Sequence, residues 1–365
     1  MAKLLVTGGA GFIGANFVHH WLRTYPGERV VVLDALTYAG NLANLEAAKG
    51  RSELRFEPGD IRDTALVERL LREELIDTIV HFAAESHVDR SIHGPDAFIE
   101  TNVQGTHSML KAARTVWLKE RTVSAHRFRH VSTDEVYGSL GPDDPAFTEQ
   151  TRYAPNSPYS ASKAASDHLV RAYHHTYGLN TTISNCSNNY GPFHFPEKLI
   201  PLMIVNLLHG RALPIYGDGR NVRDWLHVSD HCRGIERVLQ RGKPGEVYNI
   251  GGGAESENLT LVRTLCAVAD AAFRERTDLA ARFPAAPAAR GEPSASLIHF
   301  VQDRPGHDRR YAIDCTKAER ELGYQAEVTL AQGLRETFTW YLDHEWWWRA
   351  VMDGSYQRWI DTHYR

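Results

Sequence analysis

The sequence predicts an α/β protein with a Rossmann-like doubly wound parallel sheet and a smaller, discontinuous C-terminal lobe that binds substrate. Short apolar runs alternate with amphipathic stretches through the first half of the chain, which is typical of parallel strands joined by crossover helices. The runs lack polar alternation, as in strands that are buried on both faces. The 365 residues are enough for one large domain or two ordinary ones.

Five apolar runs in the first half are predicted strands, at residues 4–6, 30–33, 54–56, 78–82 and 128–132. The stretches between them predict helices over residues 13–25, 65–74 and 97–116. From about residue 188 turn-forming residues become dense, although residues 247–250 still resemble a core strand. We therefore expect a cofactor domain of residues 1–187 plus approximately 224–250. Residues 188–223 and 251–365 would form the second, smaller lobe.

Two later segments have less certain roles. Residues 279–296 are rich in Ala and Pro without a clear period, and we predict a surface excursion there. Apolar residues spaced along 330–342 predict a helix. Five of the eight tryptophans fall between Trp340 and Trp359. Packing of a C-terminal helical segment is favoured over ligand stacking for them.

Composition narrows the class of protein. Hydrophobic residues make up 42% and charged residues 24%, close to globular averages, which excludes wholesale disorder. The net charge of −4 disfavours a dedicated nucleic-acid binder. Four dispersed cysteines, and no signal peptide or run long enough to span a membrane, predict a reduced protein of the cytoplasm. The 19 histidines form no ligand pattern with nearby Cys or Asp, so no metal is expected.

The first turn carries a dinucleotide-binding pattern. Gly9, Gly11 and Gly14 satisfy Gly-x-Gly-x-x-Gly directly after a predicted strand, and Gly8 adds a further glycine. Residues without Cβ atoms let the backbone turn tightly and approach a pyrophosphate at a helix N-terminus. Asp34 follows Gly14 by twenty residues, where a carboxylate accepts hydrogen bonds from the ribose hydroxyls and repels a 2′-phosphate. NAD is therefore favoured over NADP.

Two adjacent carboxyls follow the fifth strand. Asp134 and Glu135 lie in the stretch Ser132–Gly138, at the sheet edge where open α/β proteins bind ligands. In a regular strand they would point to opposite faces. The chain must therefore leave extended geometry at Asp134 if both serve one site. The alternative is a solvated pair that caps the next segment.

A second motif supports chemistry at this edge. Tyr159 and Lys163 stand four residues apart, so on a helix the phenol and the ammonium share one face. The cation is expected to lower the pKa of Tyr159 from about 10 toward neutrality and to make it a base. Pro158 suits the first position of that helix.

With these motifs in order, the chain resembles the extended short-chain dehydrogenase/reductases, and within them the dTDP-glucose 4,6-dehydratases. The resemblance covers essentially the whole chain. Besides the motifs above, its markers are residues 33–41, 83–92, 188–192, 196–201, 216–219, 221–225 and 303–311. The Asp134–Glu135 pair discriminates most, because related nucleotide-sugar epimerases keep the Tyr and Lys and usually lack this pair.

The resemblance implies conversion of dTDP-glucose to dTDP-4-keto-6-deoxyglucose and water, a step of deoxysugar and rhamnose biosynthesis. Tyr159, helped by Lys163 and Thr133, would remove the C4 hydroxyl proton while hydride passes to tightly bound NAD+. Glu135 would then take the C5 proton, and Asp134 would protonate the departing C6 hydroxyl. Return of the hydride to C6 and of a proton to C5 would complete the product and restore the cofactor.

The resemblance also implies two sets of binding residues. The cofactor set is Gly8, Gly11, Phe12, Ile13, Gly14, Asp34, Leu36, Thr37, Asp60, Ile61, Ala83, Ala84, Ser86, Thr101, Tyr159, Lys163 and Asn189. The substrate set is Ser86, His87, Thr133, Asn188, Glu197, Lys198, Leu199, Pro214, Tyr216, Arg223, Asn258, Arg304 and His307.

Some of these assignments have alternatives. Arg223 is the expected pyrophosphate clamp, because a guanidinium binds phosphate oxygens bidentately. Tyr216 either stacks on thymine or is a core aromatic. Asp60 either meets the adenine edge or forms a turn. For Arg309 and Arg310, phosphate binding and structural ion pairs are equally expected.

The resemblance further implies a homodimer that pairs helices 97–116 and 159–177 in a four-helix bundle. The enzyme-class alternatives are a 4,6-dehydratase for another nucleotide sugar, such as UDP- or CDP-glucose, and a 4-epimerase. The non-enzyme alternative is an NAD-sensing regulatory protein. An intact Thr133, Tyr159 and Lys163 disfavours that alternative.

Overall fold

The computed structural model describes residues 2–303 and 306–352. Its centre is a seven-stranded parallel sheet in the order β3-β2-β1-β4-β5-β6-β10. Smaller sheets are β11-β9-β7 and β12-β8. The strands are β1 (Lys3–Thr7), β2 (Arg29–Asp34), β3 (Leu54–Pro58), β4 (Thr78–His81), β5 (Arg127–Thr133), β6 (Thr181–Cys186), β7 (Asn188–Tyr190), β8 (Leu213–Tyr216), β9 (Val222–His227), β10 (Val247–Ile250), β11 (Glu255–Glu257) and β12 (Ile298–Val301).

Helices join these strands and cover both faces of the central sheet. They are α1 (Phe12–Thr24), α2 (Thr64–Glu73), α3 (Val88–His93), α4 (Asp96–Phe98), α5 (Thr106–Ala113), α6 (Pro158–Tyr177), α7 (Leu199–His209), α8 (Val228–Arg241), α9 (Asn258–Glu275), α10 (Leu279–Arg282), α11 (Thr316–Leu322), α12 (Leu330–Asp343) and α13 (Glu345–Val351). The predicted fold class is confirmed, and each predicted strand is present.

The apolar runs form buried strands because helices cover the sheet on both sides. One cluster packs side chains of the sheet against α2, α5 and α6, and another packs them against α1 and α8. Leu5 belongs to the first cluster, whereas Leu4 and Val6 belong to the second. Consecutive residues of β1 thus point into different cores, which explains the absence of polar alternation.

The order of the strands determines where a ligand can bind. β1 pairs with β2 on one side and with β4 on the other. The strand order therefore reverses beside the carboxyl end of β1, where doubly wound sheets have their crevice. Thr7 is paired with both Leu33 and His81 there.

A further apolar cluster lies in the C-terminal part of the chain. It joins α7, α9, α12 and α13 with the strands β8 and β9. Trp347 and Trp348 are almost completely buried in it, which confirms the packing prediction for them, whereas Trp346 is 57% exposed. Trp359 lies outside the described residues. The proposed domain boundaries stay a prediction.

The structure corrects two expectations about local structure. Residues 279–296 are not purely a surface excursion, because Leu279, Phe283 and Ala286 are buried in the C-terminal cluster. A single helical turn and two short 3₁₀ turns bring these residues inward. The predicted helix over 97–116 is also interrupted by two π-helical segments, Ile99–Gly105 and Arg114–Lys119. In the first of them, Asn102 is buried and hydrogen-bonds both the N–H and the carbonyl of Glu85.

No helix among the described residues is long and apolar enough to cross a membrane. The four cysteines are unpaired.

Candidate active site

A cleft at the carboxyl edge of the central sheet gathers most of the predicted site residues. The five predicted catalytic residues border it, as do all predicted cofactor residues except Leu36. From the substrate set, Ser86, Asn188, Glu197, Lys198 and Leu199 border it too. The predicted residues that do not border it are Leu36, His87, Pro214, Tyr216, Arg223, Asn258 and His307, and Arg304 lies outside the described residues.

The glycine turn has the shape that a dinucleotide requires. A Cβ on Gly14 would lie 2.2 Å from the carbonyl oxygen of Gly8, and one on Gly8 would lie 2.7 Å from the nitrogen of Ala83. Gly8 also has a left-handed φ of 68°. Gly11 caps α1 without a side-chain hydrogen bond, which leaves the helix N-terminus open to an anion. The turn therefore fits a pyrophosphate.

Asp34 holds the turn and keeps acceptor capacity. Its carboxylate accepts a hydrogen bond from the N–H of Ala10 at 2.9 Å and another from the N–H of Leu36 at 2.9 Å. Each oxygen has a second lone pair for a ribose hydroxyl. Burial raises the pKa of Asp34, and the two backbone donors oppose that shift. Leu36 thus contributes its N–H to Asp34, and its side chain is not part of the cleft wall.

Asp60 borders the cleft and also forms a local turn. Its carboxylate accepts from the N–H of Arg62 at 2.8 Å and from the Arg62 guanidinium at 2.7 and 2.9 Å. Asp60 therefore forms the predicted turn, and it also borders the cleft where contact with adenine was predicted.

The two adjacent carboxyls serve one cleft because the chain changes direction between strand and turn. β5 ends at Thr133, and a 3₁₀ turn over Asp134–Tyr137 begins at once. The N–H of Glu135 donates to the Thr133 hydroxyl at 3.3 Å. This turn places both carboxyls at the cleft and not on opposite faces of a strand.

Asp134 is a buried acid. Burial raises its pKa well above the usual value, and the nearby charges of Glu135 and Asp224 raise it further. Its Oδ2 atom has no hydrogen-bond partner in the part of the chain that the structure describes. These effects favour the protonated form of Asp134, which is the form that a general acid requires.

Tyr159 and Lys163 stand at the start of α6. Ser157 and Ser160 form a capping box around Pro158, which occupies the first turn as predicted. The Lys163 ammonium donates to the carbonyl of Val131 at 2.9 Å. Burial lowers the pKa of Lys163.

The expected shift of the Tyr159 pKa toward neutrality is wrong. Burial raises the pKa of the phenol well above 10, and the charge of Glu135 raises it further, whereas a hydrogen bond from Thr133 opposes the shift. The Lys163 charge does not offset these effects, since the phenol is buried beside a carboxylate.

Asp167 is a residue that the sequence analysis missed. Its Oδ2 atom accepts from the Ser132 hydroxyl at 2.8 Å and from the Tyr153 hydroxyl at 3.0 Å. It follows Lys163 by four residues, and both side chains reach β5 from the same face of α6. The charge of Asp167 favours the protonated form of Lys163. The spacing Tyr-x-x-x-Lys-x-x-x-Asp is the signal that could have revealed it.

Glu197 and Tyr38, which border the cleft, both contact the partly buried Arg90. The Arg90 guanidinium donates to Glu197 Oε2 at 2.8 and 2.9 Å, and it lies 4.2 Å from the ring centre of Tyr38. Lys198 donates to the carbonyl of Ser86 at 2.8 Å. The roles of Arg90 and Tyr38 were missed, because Arg90 and Glu197 are 107 residues apart in the chain.

The remaining predicted substrate residues do not border the cleft. The Arg223 guanidinium donates to the carbonyl of Asp308 at 2.9 Å and covers the Tyr311 ring at 4.2 Å. Tyr216 meets His307 edge to face, with 5.9 Å between ring centres. His87 is buried and caps α3 through its ring nitrogen, which accepts from the N–H of Arg90.

Arg309 and Arg310 form ion pairs, as one of the two interpretations predicted. Arg309 pairs with Asp218 at 2.9 Å, and Arg310 pairs with Glu255 at 2.7 Å.

Among the described residues no group of acidic, His or Cys side chains is arranged to hold a metal ion.

Comparison with known proteins identifies relatives along the whole chain. Residues 5–337 match the family described as GDP-mannose 4,6 dehydratase. The dTDP-glucose 4,6-dehydratase of Xanthomonas campestris pv. campestris (strain B100) is 56% identical over 98% of both chains. The dTDP-glucose 4,6-dehydratase DesIV of Streptomyces venezuelae, solved with NAD bound, superposes with a TM-score of 0.83 at 50% identity, over 96% of this chain and 99% of that one. The corresponding Bacillus anthracis enzyme, also in complex with NAD, has a TM-score of 0.82 at 43% identity, over 96% and 100%.

Replacing Asp167 with Asn tests the burial of this carboxyl. Burial raises the pKa of Asp167 from 3.8 to about 6. The folded state therefore holds the proton more tightly, and its stability falls as the pH rises through this interval. The amide does not ionise, so Asp167→Asn lacks this loss. The free energy of unfolding of the variant, relative to wild type, should rise by about 2–3 kcal/mol between about pH 4 and about pH 7.

Urea titrations at a series of pH values measure this difference. Tyr153→Phe is the matched control, because it removes one hydrogen bond to Asp167 and keeps the carboxyl. It should still lose stability as the pH rises, as wild type does, and the loss should extend to higher pH because this hydrogen bond lowers the pKa of Asp167. A difference between Asp167→Asn and wild type that does not change with pH would contradict the assignment.

Proposed function

Because the chain belongs to the dTDP-glucose 4,6-dehydratase family of NAD-dependent hydro-lyases, we propose that its cleft converts dTDP-glucose to dTDP-4-keto-6-deoxyglucose and water. The position of two carboxyls supports this reaction most directly. The buried acid Asp134 and the adjacent Glu135 border the same cleft as Tyr159, Lys163 and the glycine turn. Exchange at C4 alone, as in a 4-epimerase, has no elimination step for such a pair to catalyse.

The glycine turn and Asp34 would hold NAD, with Thr37, Ala83 and Thr101 along the wall of the cleft. When bound, NAD supplies the group that takes up the hydride from C4 and returns it to C6, together with a positively charged ring that favours a phenolate. The Asp34 carboxylate would accept from the ribose hydroxyls through lone pairs that Ala10 and Leu36 do not use.

Tyr159 would take the proton of the C4 hydroxyl. The Thr133 hydroxyl stabilises the phenolate, since its hydrogen bond opposes the rise in the pKa of Tyr159. Lys163 would contribute a fixed positive charge, which its bond to the Val131 carbonyl holds in place. Asp167 is a positioning residue that keeps this ammonium protonated.

Glu135 and Asp134 would divide the elimination. Glu135 removes the C5 proton that the 4-ketone has made acidic. Asp134 gives its proton to the C6 hydroxyl, so that water leaves and the C5–C6 double bond forms. The division follows from burial, because two close carboxyls ionise at different pH values and burial favours the protonated form of Asp134.

The second lobe would hold the nucleotide. Asn188, Glu197, Lys198 and Leu199 are among the residues that it contributes to the cleft wall. β7 and β9 pair in parallel, with Asn188 opposite Trp225, so Arg223 lies two residues before this level on β9. Arg223 would then meet the pyrophosphate from behind this wall, with Pro214, Tyr216, Asn258 and His307 around the base.

Single substitutions of the carboxyls test this division of roles. Asp134→Asn keeps the shape and removes the acid, so oxidation at C4 should proceed while elimination slows by about 10²–10⁴-fold. Enzyme-bound reduced nicotinamide should accumulate, as absorbance measures. Glu135→Gln should block the same step from the base side.

Asp143→Asn, at an exposed position in the following loop, is the control and should turn over like wild type. Wild-type rates in both Asp134→Asn and Glu135→Gln would show that these carboxyls do not catalyse the elimination.

We also propose a homodimer that pairs α5 and α6 with the same helices of a second copy. α6 has an outward stripe of small and apolar residues, Ala161, Ala165, Leu169 and Ala172, and Ile99 beside it is 47% exposed. Such a stripe lets helices approach closely.

The unpaired cysteines agree with a reducing compartment, and we propose that the protein works in the cytoplasm.

Sedimentation equilibrium tests the dimer. Wild type should sediment at twice the mass of one chain. Ala172→Arg places a long charged side chain in the stripe and should shift the equilibrium toward monomer. Ala267→Arg, at an exposed position on α9, is the matched control and should stay dimeric. A wild-type monomer at working concentration would refute the interface.

A further inference from the structure

A chain of buried hydrogen bonds runs from the C-terminal helix α13 to the glycine turn. The indole N–H of Trp347 donates to Asn44 Oδ1 at 2.6 Å. The amide of Asn44 in turn donates to the carbonyl of Ala10 at 2.8 Å. Trp347 and Asn44 are each only 1% exposed. Water therefore does not compete for these bonds, and they act at full strength.

Both backbone polar groups of Ala10, its N–H and its carbonyl, are hydrogen-bonded. Its N–H donates to Asp34, and its carbonyl accepts from Asn44 and from the N–H of Asn41 at 3.0 Å. Its neighbours Gly9 and Gly11 have no side chains to restrict the backbone. The shape of the turn between them therefore depends on the groups that hold Ala10.

Aromatic contacts form a second connection between the same elements. Phe193 meets Trp347 and Trp340 edge to face, with ring centres 6.0 and 5.0 Å apart. The next residue, His194, stacks on Phe12 at 4.3 Å, at the start of α1. The Tyr341 hydroxyl of α12 donates to the carbonyl of His194. The C-terminal helices thus support both the glycine turn and the helix that follows it.

We propose that Trp347 and Asn44 are positioning residues that set the affinity of the glycine turn for NAD. A turn held in its binding shape loses less freedom when the ligand binds, and so it binds more tightly. Trp347 thereby couples the C-terminal helices to cofactor retention. This inference rests on the proposed function only in that NAD binds at this turn.

Trp347→Phe and Trp348→Phe form a matched pair for the test. The two residues are adjacent on α13 and equally buried, and each indole N–H makes one hydrogen bond. The bond of Trp348 goes to the Tyr341 carbonyl within the same lobe, at 2.9 Å. Each variant therefore loses a similar amount of packing, but only Trp347→Phe breaks the link to the turn.

Binding of NAD to the cofactor-free protein, by titration calorimetry, is the first measurement. Loss of one buried hydrogen bond predicts about fivefold weaker binding for Trp347→Phe. Trp348→Phe should stay within about twofold of wild type. At saturating NAD the turnover of Trp347→Phe should match wild type, because the reacting groups are unchanged.

A double-mutant cycle with Asn44→Leu completes the test and covers the case in which Trp347→Phe fails to fold. Asn44→Leu alone should weaken NAD binding by at least as much as Trp347→Phe, and adding Trp347→Phe to it should change little more. Equal NAD affinity of Trp347→Phe, Asn44→Leu and wild type, or equal losses in Trp347→Phe and Trp348→Phe, would overturn the proposal. Failure of wild type to bind NAD would instead refute the proposed function.

Discussion

The parallel register of β1, β4 and β5 is the constraint on which the site depends. Thr7 is level with His81, and His81 is level with His130. β5 continues three residues beyond that level, to Thr133. The glycine turn therefore begins at the edge of the sheet, while the two carboxyls stand above the edge. One register of hydrogen bonds brings the cofactor turn and the acid-base pair to the same cleft.

Burial then determines the charge state of each group in the cleft. It raises the pKa values of Asp134 and Tyr159 and lowers that of Lys163. Individual partners modify these shifts, such as Asp167 for Lys163. The overall charge of −4 therefore does not describe the charges in the cleft, where burial shifts the pKa of individual groups. A small anionic ligand needs only a few positively charged side chains directed at it, and not a basic protein.

Features that depend on local spacing could be predicted from the sequence. The glycine turn, the helix start at Pro158 and the four-residue step from Tyr159 to Lys163 each follow from neighbouring residues. The strands followed from apolar runs, because helices bury both faces of the sheet. Local spacing did not show whether Asp134 and Glu135 serve one site, because this depends on the turn that follows Thr133.

Features that depend on distant partners could not be predicted. Arg90 meets Glu197 across 107 residues, and Trp347 meets Asn44 across 303. The pKa of Tyr159 was misjudged for a related reason: its spacing from Lys163 was visible, but its complete burial beside Glu135 was not. The inward positions of Leu279 and Phe283 likewise depend on a core that the rest of the lobe builds.

We expect this cleft to oxidise, dehydrate and reduce one nucleotide sugar without net use of cofactor. The most direct test is incubation of the purified protein with dTDP-glucose, and separately with UDP-glucose, with no added cofactor and then with NAD+. Mass spectrometry of the products should show a 4-keto-6-deoxy sugar nucleotide from dTDP-glucose, with no net change in NAD+. Absence of that product from dTDP-glucose, even when NAD+ is supplied, would contradict the account.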